Sequence, residues 1–307
     1  MEFRQLQAFL TVTNTANFSR AAKILGYAQS SITTQIQLLE QELNTRLFDR
    51  LGNQVVLTDQ GRCFLTYVNQ ILSLASEAKE AVSNSTTVNG TVTIGAPESL
   101  CATRLPMVLQ EYGRLYPNVK IVLKIGAYND FLLWLRNNSI DLAFFFHRGI
   151  ANPNLITTTL LEEPIVAVAG VGHPLIEKGY VEPSDLREQS VILAEPGCSY
   201  RIILESILSA SNVYLETVLE IGSVVAMTQC AISGLGVTFL PKSAVEKELE
   251  IGQLVDLHWS GEDFGTVIQL AYHKDKWLSS ALRAFLTVTK EILVDQGSQE
   301  RDRIICP

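Results

Sequence analysis

Buried strands alternate with amphipathic helices from Thr91 onward, and this alternation restricts the fold more than any other feature of the chain. The predicted strands of a first unit lie at 91–97, 119–126 and 142–146, with helices at 105–115 and 131–137 between them. Apolar strands joined by crossover helices are typical of an open α/β sheet with parallel strands. The larger part of the chain is therefore predicted to be an α/β domain.

A second unit of the same kind follows. Its predicted strands lie at 164–170, 190–197, 215–222 and 236–241, and its predicted helices at 200–209, 224–233 and 242–248. The strand at 267–274 and the helix after Ser279 are expected to return to the first unit, so that two crossings join two lobes. We expect lobe I at 91–161 and 267–295, lobe II at 162–266, and a disordered polar tail at 296–307.

A long helix is predicted before this domain, because residues 58–84 contain no proline and, after Gly61, no glycine. Its apolar positions advance by steps of four and three, as in a coiled-coil seam: Phe64, Val68, Ile71, Ala75, Ala78 and Val82. At 1.5 Å per residue the helix would be about 40 Å long and would pair two copies of the chain. The alternative is a long helix that lies on its own domain. A linker at 59–88, ending in an aperiodic hinge, would separate residues 1–58 from the effector domain at 91–295.

Two short helices with a tight turn between them are predicted near the N-terminus. The first has apolar residues at helical spacing behind Asn17, a good N-cap residue, and Gly26 ends it. The second carries Ile32, Ile36 and Leu39 on one side and Ser, Thr and Gln residues on the other. This pattern predicts a helix-turn-helix.

Residues 28–39, which make up most of the second predicted helix, carry no charge at all. Gln, Ser and Thr can hydrogen-bond base edges in the major groove of DNA. An ordinary solvated helix is the alternative, but such surfaces usually carry Lys and Glu. The predicted base-contacting residues are Gln29, Ser30, Ser31, Thr33, Thr34 and Gln37.

A short hairpin is predicted behind the second helix, with Val55 and Leu57 alternating with polar neighbours and a turn at Gly52-Asn53. A hairpin in this position is a wing. Arg46 and Arg50 are expected to contact phosphates, and Asn53 at the wing tip is a further predicted DNA contact.

The stretch FSRAAKILGYAQSSITTQIQLLEQELNTRLFDR, followed by VVLTDQG, resembles the LysR-type transcriptional regulators. The resemblance implies a multidomain chain: an all-α winged helix-turn-helix with a long linker helix, then a two-lobed α/β effector domain like the periplasmic binding proteins. It also implies a double-stranded operator as partner, a homodimer through the linker helix, a homotetramer that bends the operator, and contact with RNA polymerase.

Small hydroxyl or thiol groups follow three predicted strands, at Ser99, Cys198-Ser199 and Ser223. Free N–H groups and the positive end of a helix dipole favour anions at such points, so we expect a small anionic effector between the lobes. Leu100 is included beside Ser99, and Arg201 would pair with an acid group or with solvent. The family resemblance adds Asn129 and His147. Simple N-capping is the alternative at each of the three points.

Charge and cysteine content narrow the possible functions. Net charge is -8, yet residues 1–62 hold six Lys and Arg against five Asp and Glu, so the acidity belongs to the later domains. Five cysteines without metal-ligand spacing argue against disulfides and zinc, and no enzyme motif or cofactor fingerprint is present. With neither a signal peptide nor an apolar span, the chain is expected in the cytoplasm.

Two alternatives remain open at the level of sequence. One is an enzyme or solute-binding α/β protein whose DNA-binding head no longer works. The other is a redox switch at Cys198, because a thiol at a helix N-terminus has a lowered pKa. It lacks the nearby second cysteine that redox-sensing members of the family use.

Overall fold

The computed structural model describes residues 1–51, 54–82, 88–147, 149–150 and 152–305. Two compact units are present, one built mainly from residues 1–86 and the other from residues 87–307. In the described part of the chain, no helix combines the length and the apolar character needed to cross a membrane.

The N-terminal unit consists of four helices and a hairpin: α1 (Phe3–Thr15), α2 (Phe18–Leu25), α3 (Gln29–Glu42), β1 (Phe48–Leu51), β2 (Gln54–Leu57) and α4 (Asp59–Val82). The apolar sides of α1 and α3 meet in its core, where Phe9, Ile32, Ile36 and Leu39 are almost completely buried. Helix α1 has no counterpart among the sequence predictions.

The helix ends follow the sequence signals. Asn17 Oδ1 accepts a hydrogen bond from the Arg20 N–H at 2.9 Å, which caps the start of α2. Gly26 closes α2 with a φ of +71°, in the left-handed region that glycine adopts without strain. The predicted helix-turn-helix is therefore present as α2 and α3.

The wing is an antiparallel hairpin in which Phe48 pairs with Leu57 and Arg50 with Val55. Its predicted turn at Gly52-Asn53 lies outside the described residues. Glu40 on α3 joins the hairpin to the helix, because its Oε1 accepts the N–H groups of Leu47 at 2.7 Å and Phe48 at 3.2 Å.

Helix α4 starts as predicted, since Thr58 Oγ1 accepts the Gly61 N–H at 2.9 Å. The predicted seam is wrong in its first half. Val68 is completely buried within the N-terminal unit, and the Phe64 ring packs against Phe9 with centroids 5.2 Å apart. These positions belong to the core of their own domain, as in the alternative interpretation of the helix.

The C-terminal unit contains two five-stranded sheets. Lobe I has β3 (Gly90–Ala96), β4 (Val119–Ile125), β5 (Leu142–His147), β6 (Leu155–Glu162) and β12 (Val267–His273), in the order β4-β3-β5-β12-β6. Lobe II has β7 (Ile165–Gly170), β8 (Ser190–Leu193), β9 (Thr217–Glu220), β10 (Val237–Pro241) and β11 (Leu254–Asp256), in the order β11-β7-β10-β8-β9.

The sheets are mixed, whereas the sequence predicted parallel strands. Strand β12 runs antiparallel to β5 and β6, and β7 runs antiparallel to β10 and β11. Strands β6 and β11 were not predicted. Most of β6 is polar or partly exposed, so it lacks the apolar run by which the buried strands were identified.

Seven helices cover these sheets in the described part of the chain: α5 (Glu98–Ala102), α6 (Leu105–Leu115), α7 (Tyr128–Arg136), α8 (Ser199–Ala210), α9 (Val224–Ile232), α10 (Lys242–Glu250) and α11 (Ser280–Ile305). The prediction of disorder from residue 296 is wrong as far as Ile305, because α11 continues to that residue. Gln, Glu and Arg are good helix formers that extend a helix once it is nucleated.

Candidate DNA-binding surface and ligand cleft

Helix α3 presents the predicted base-contacting residues on its outer side, while its apolar side is buried. The α3 face, as we call this surface, consists of Gln29, Ser30, Ser31, Thr33, Thr34 and Gln37. All of these residues are exposed except Thr33, which is half-buried. The helix therefore offers hydrogen-bonding groups without charge to a partner surface.

Two members of the α3 face also bond within the chain. Gln29 Oε1 accepts a hydrogen bond from Ser19 Oγ at 2.8 Å, and Thr33 Oγ1 donates to the Gln29 carbonyl at 3.1 Å. The first bond links the two helices of the helix-turn-helix. These contacts orient the N-terminal turn of α3.

The predicted phosphate contacts lie next to this helix in the chain. Arg46 is exposed, and its carbonyl accepts the Thr58 hydroxyl at 2.7 Å, which ties it to the start of α4. Arg50 lies in β1, but its side chain is not among those described, and Asn53 lies outside the described residues.

The C-terminal unit contains a cleft between the two lobes, with a volume of about 610 Å³ including its open mouth. Its walls combine aromatic rings, small polar groups and carboxylates: Pro97, Glu98, Ser99, Ile125, Gly126, Ala127, Tyr128, Phe131, Phe145, Phe146, Ala194, Glu195, Cys198, Ser199, Tyr200, Gly222 and Val224. The mostly apolar lining suits a small organic ligand.

The predicted effector residues divide into two groups. Ser99, Cys198 and Ser199 line the cleft. Ser223 stands between two lining residues, and its hydroxyl donates to Glu98 Oε1 at 3.0 Å. Leu100, in contrast, is completely buried in the lobe I core.

Asn129, His147 and Arg201 do not line the cleft. Asn129 is exposed near the start of α7. His147 stacks on Tyr128, with ring centroids 5.2 Å apart. Arg201 donates to the Ala194 carbonyl at 2.5 Å and forms ion pairs with Glu205 and Glu220 of its own lobe, so it is not directed at a ligand.

Glu98 is the main cleft residue that the sequence analysis missed. Its carboxylate reaches from α5 in lobe I to the N-terminus of α9 in lobe II, where it accepts the Ser223 hydroxyl at 3.0 Å and the Val224 N–H at 2.8 Å. The chain's own carboxylate therefore occupies one of the three points at which an anionic effector was expected. The sequence feature that could have indicated this residue is its position immediately before Ser99.

A second carboxylate stands where the chain passes between the sheets. Glu163 is fully buried, pairs with Arg104 at 3.1 Å and accepts the Ser243 N–H at the start of α10 at 3.0 Å. Two helices of lobe II are thus capped by carboxylates from residues outside that lobe's sheet.

Cys198 has a raised pKa. Burial disfavours the thiolate and outweighs the backbone N–H groups of Arg201 and Tyr200, which would stabilise it. The pKa shift is therefore opposite to the one that a reactive thiol needs. In the described part of the chain, no group of three or more His, Cys, Asp or Glu residues is arranged to hold a metal ion.

We expect Cys198 to react slowly with iodoacetamide at pH 7.5, because little of it is thiolate, and to react faster as pH rises. Cys63 is exposed and should be alkylated first. Mass spectrometry of the labelled peptides measures both rates, and the protein in denaturant provides the control. Equal rates for the two thiols in the folded protein would restore the redox alternative.

A winged helix-turn-helix with an uncharged polar helix face, joined to a two-lobed domain with a ligand cleft, defines a ligand-responsive DNA-binding regulator. The chain belongs to the LysR family of transcriptional regulators. Residues 3–62 match the bacterial regulatory helix-turn-helix model of the lysR family, and residues 85–293 match the LysR substrate binding domain.

Two relatives that are named as transcriptional regulators match this chain over nearly their whole length. The uncharacterized HTH-type transcriptional regulator YwqM of Bacillus subtilis (strain 168) is 37% identical over 95% of this chain and 99% of its own. GltR of the same organism, an HTH-type transcriptional regulator, is 32% identical over 94% and 95%.

Solved structures share the fold. A full-length OxyR variant from Pseudomonas aeruginosa superposes with a TM-score of 0.75 at 20% identity, covering 96% of each chain. CbnR complexed with its target DNA gives a TM-score of 0.66 at 19% identity, covering 95% of this chain and 99% of its own. At these identities the likeness concerns the fold alone.

Proposed function

We propose that this regulator reads its operator through the α3 face and that a small molecule bound in the cleft controls how it does so. The observation that carries the proposal is the exposed, uncharged polar face of α3 in a winged helix-turn-helix. Such side chains can pair with base edges, while cations at the margins contact phosphates. Its place of action is the cytoplasm, where a bacterial operator lies.

Pairing of two chains through α4 is part of the proposal. The exposed apolar positions of this helix are Tyr67, Leu74 and Ala78, and the half-buried Ile71 lies between them, at steps of four, three and four residues. Tyr67 is 57% exposed and Leu74 65% exposed. This revised seam would bury its apolar surface against a second copy and present two heads to half-sites about one DNA turn apart, or a multiple of it. A tetramer and contact with RNA polymerase follow from the family resemblance.

The cleft offers a route for control, because Glu98 of lobe I bonds to Ser223 and Val224 of lobe II across it. A ligand that binds one arrangement of the lobes more tightly shifts the population toward that arrangement. The resulting change in DNA affinity cannot exceed the ratio of the ligand's affinities for the two arrangements.

Two substitutions test the DNA contacts by different signatures. Gln37→Ala should reduce discrimination at one base pair by roughly 5- to 100-fold, because a base-edge hydrogen bond is lost. Arg46→Ala should weaken binding to all sequences alike and lower the salt slope by about one. Fluorescence anisotropy on the chain's own upstream DNA and on scrambled duplexes, at several salt concentrations, separates the two effects.

Gln253→Ala is the matched control, since Gln253 is an exposed glutamine of the C-terminal unit. It should leave both specificity and salt slope unchanged. Wild-type protein that binds scrambled and upstream DNA equally would favour the alternative of a ligand-binding protein with an inactive DNA head.

A further inference from the structure

The cleft is acidic. Glu98 and Glu195 line it, and among the described residues of its walls none is Lys, Arg or His. A second cavity, of about 420 Å³, lies beside Glu98, and its described lining adds Glu248 without adding a basic residue. Because carboxylates in a cleft with low-dielectric walls create a negative potential, a cation is attracted and an anion repelled.

Groups of the chain already use N–H groups at two of the helix N-termini beside the cleft. Glu98 accepts the Val224 N–H at the start of α9. Asp130 accepts the Ala127 N–H before α7 at 3.0 Å. The anionic effector expected from these helix ends would meet no basic side chain in the lining that the structure describes.

The two carboxylates converge on one short segment. Glu98 bonds to Ser223 and Val224, and Glu195 Oε2 lies 3.3 Å from the point that a Cβ atom would occupy on the preceding Gly222. Burial raises the pKa of Tyr200 most, and Cys198, Glu98 and Glu195 raise it further, so both carboxylates act on the same cleft residue.

Aromatic rings form the adjoining wall. The Phe145 ring packs edge-on against Tyr128 and Phe131, with centroids 5.5 Å and 5.4 Å apart, and all three side chains line the cleft. Ring faces attract organic cations and also bury an apolar ligand body. Tyr128 is half-buried, whereas Phe131 and Phe145 are almost completely buried behind it, so of the three rings Tyr128 is the accessible one.

We infer that the cleft binds an organic cation, with a primary ammonium or guanidinium group between Glu195 and Glu98 and an apolar body against Tyr128. This inference rests on the proposed function, since it names the chemical class of the effector. Glu195 is the specificity-determining residue, because it is exposed at the cleft while Glu98 is already bonded to α9.

Matched ligands of opposite charge test the inference on the full-length chain. The probes are 3-phenylpropylamine and 3-phenylpropanoate, which share one skeleton, and pentylamine with pentanoate as the aliphatic pair. Isothermal titration should give saturable binding of at least one amine and none of either acid. Added salt should weaken binding of the amine, because its ion pair with the carboxylate would be partly exposed to solvent.

Substitutions at Glu195 make the test specific. Glu195→Gln should weaken the amine about tenfold or more, and Glu195→Lys should abolish amine binding and favour the acid of the same skeleton. Glu216→Gln is the matched control, because Glu216 is exposed and does not line the cleft. It should bind the amine like wild type.

Three results would overturn the inference: an acid that binds wild type in place of its amine, an amine affinity unchanged by Glu195→Gln, or no binding of either series. Operator binding, measured without ligand, is independent of all three. An acid that bound the cleft and altered operator binding would support the proposed function and contradict only the inference that the effector is a cation.

Discussion

Alanine at Gly61 is expected to lower the melting temperature of the N-terminal unit by about 12 °C or more, equivalent to about 3 kcal/mol. A Cβ atom at this position would lie 2.1 Å from the Leu47 carbonyl oxygen and 2.9 Å from Leu57 Cδ2. The carbonyl cannot withdraw cheaply, because it accepts the Thr58 N–H at 3.1 Å at the junction of the wing and α4. Circular dichroism on the full chain, together with operator binding across temperature, measures the loss.

Gly113→Ala is the matched control. Gly113 also lies within a helix, α6, but an added Cβ would meet nothing within 4 Å in the part of the chain that the structure describes. Alanine favours a helix over glycine by up to about 1 kcal/mol, so this change should be neutral or stabilising. A Gly61→Ala protein with wild-type melting and operator affinity would show that α4 does not approach the wing as closely as described.

Glutamate at Leu74 is expected to separate the proposed dimer and to reduce operator affinity by about 100-fold or more. Two linked heads gain roughly 10²- to 10⁴-fold over one head, and a pair of facing charges in an apolar seam removes that gain. Analytical ultracentrifugation gives the assembly state, and anisotropy on a two-half-site duplex gives the affinity.

Val171→Glu is the control for this second change, because Val171 is 70% exposed and lies in the C-terminal unit. It should not change the affinity for DNA. A Leu74→Glu chain that keeps the wild-type mass and affinity would exclude α4 as the pairing element, whereas smaller species with intact affinity would show that one head is sufficient.

The local elements of the N-terminal unit were predictable from sequence because short-range chemistry decides them. Asn17 and Gly26 mark the ends of α2, and the apolar spacing of Ile32, Ile36 and Leu39 defines the buried side of α3. Each signal acts within one or two helical turns.

Partners distant in sequence were not predictable. Glu40, within the stretch that resembles the LysR-type regulators, has a structural role that the sequence does not reveal, since its bonds to Leu47 and Phe48 depend on how the wing returns. The prediction of the α4 seam was wrong in its first half for the same reason. Periodicity identifies an apolar stripe but not which neighbour covers it, and Val68 is covered by its own domain.

The chemistry of the cleft depended still more on tertiary structure. The sequence placed Ser99, Cys198 and Ser223 near helix N-termini, and an anion-binding site was predicted from that placement. It did not indicate the bond between Glu98 and Ser223, because these residues are 125 positions apart. Only the folded chain brings that carboxylate onto α9 and Glu195 beside it.

Hydrogen-bond caps, apolar periodicity and motif spacing are local, so the amino-acid order alone determined the helix-turn-helix, the α/β lobes and the family. The side chains that face one another across the cleft and the surface of α4 left exposed were decided by long-range packing, because electrostatic and apolar contacts form between any groups that the fold brings together.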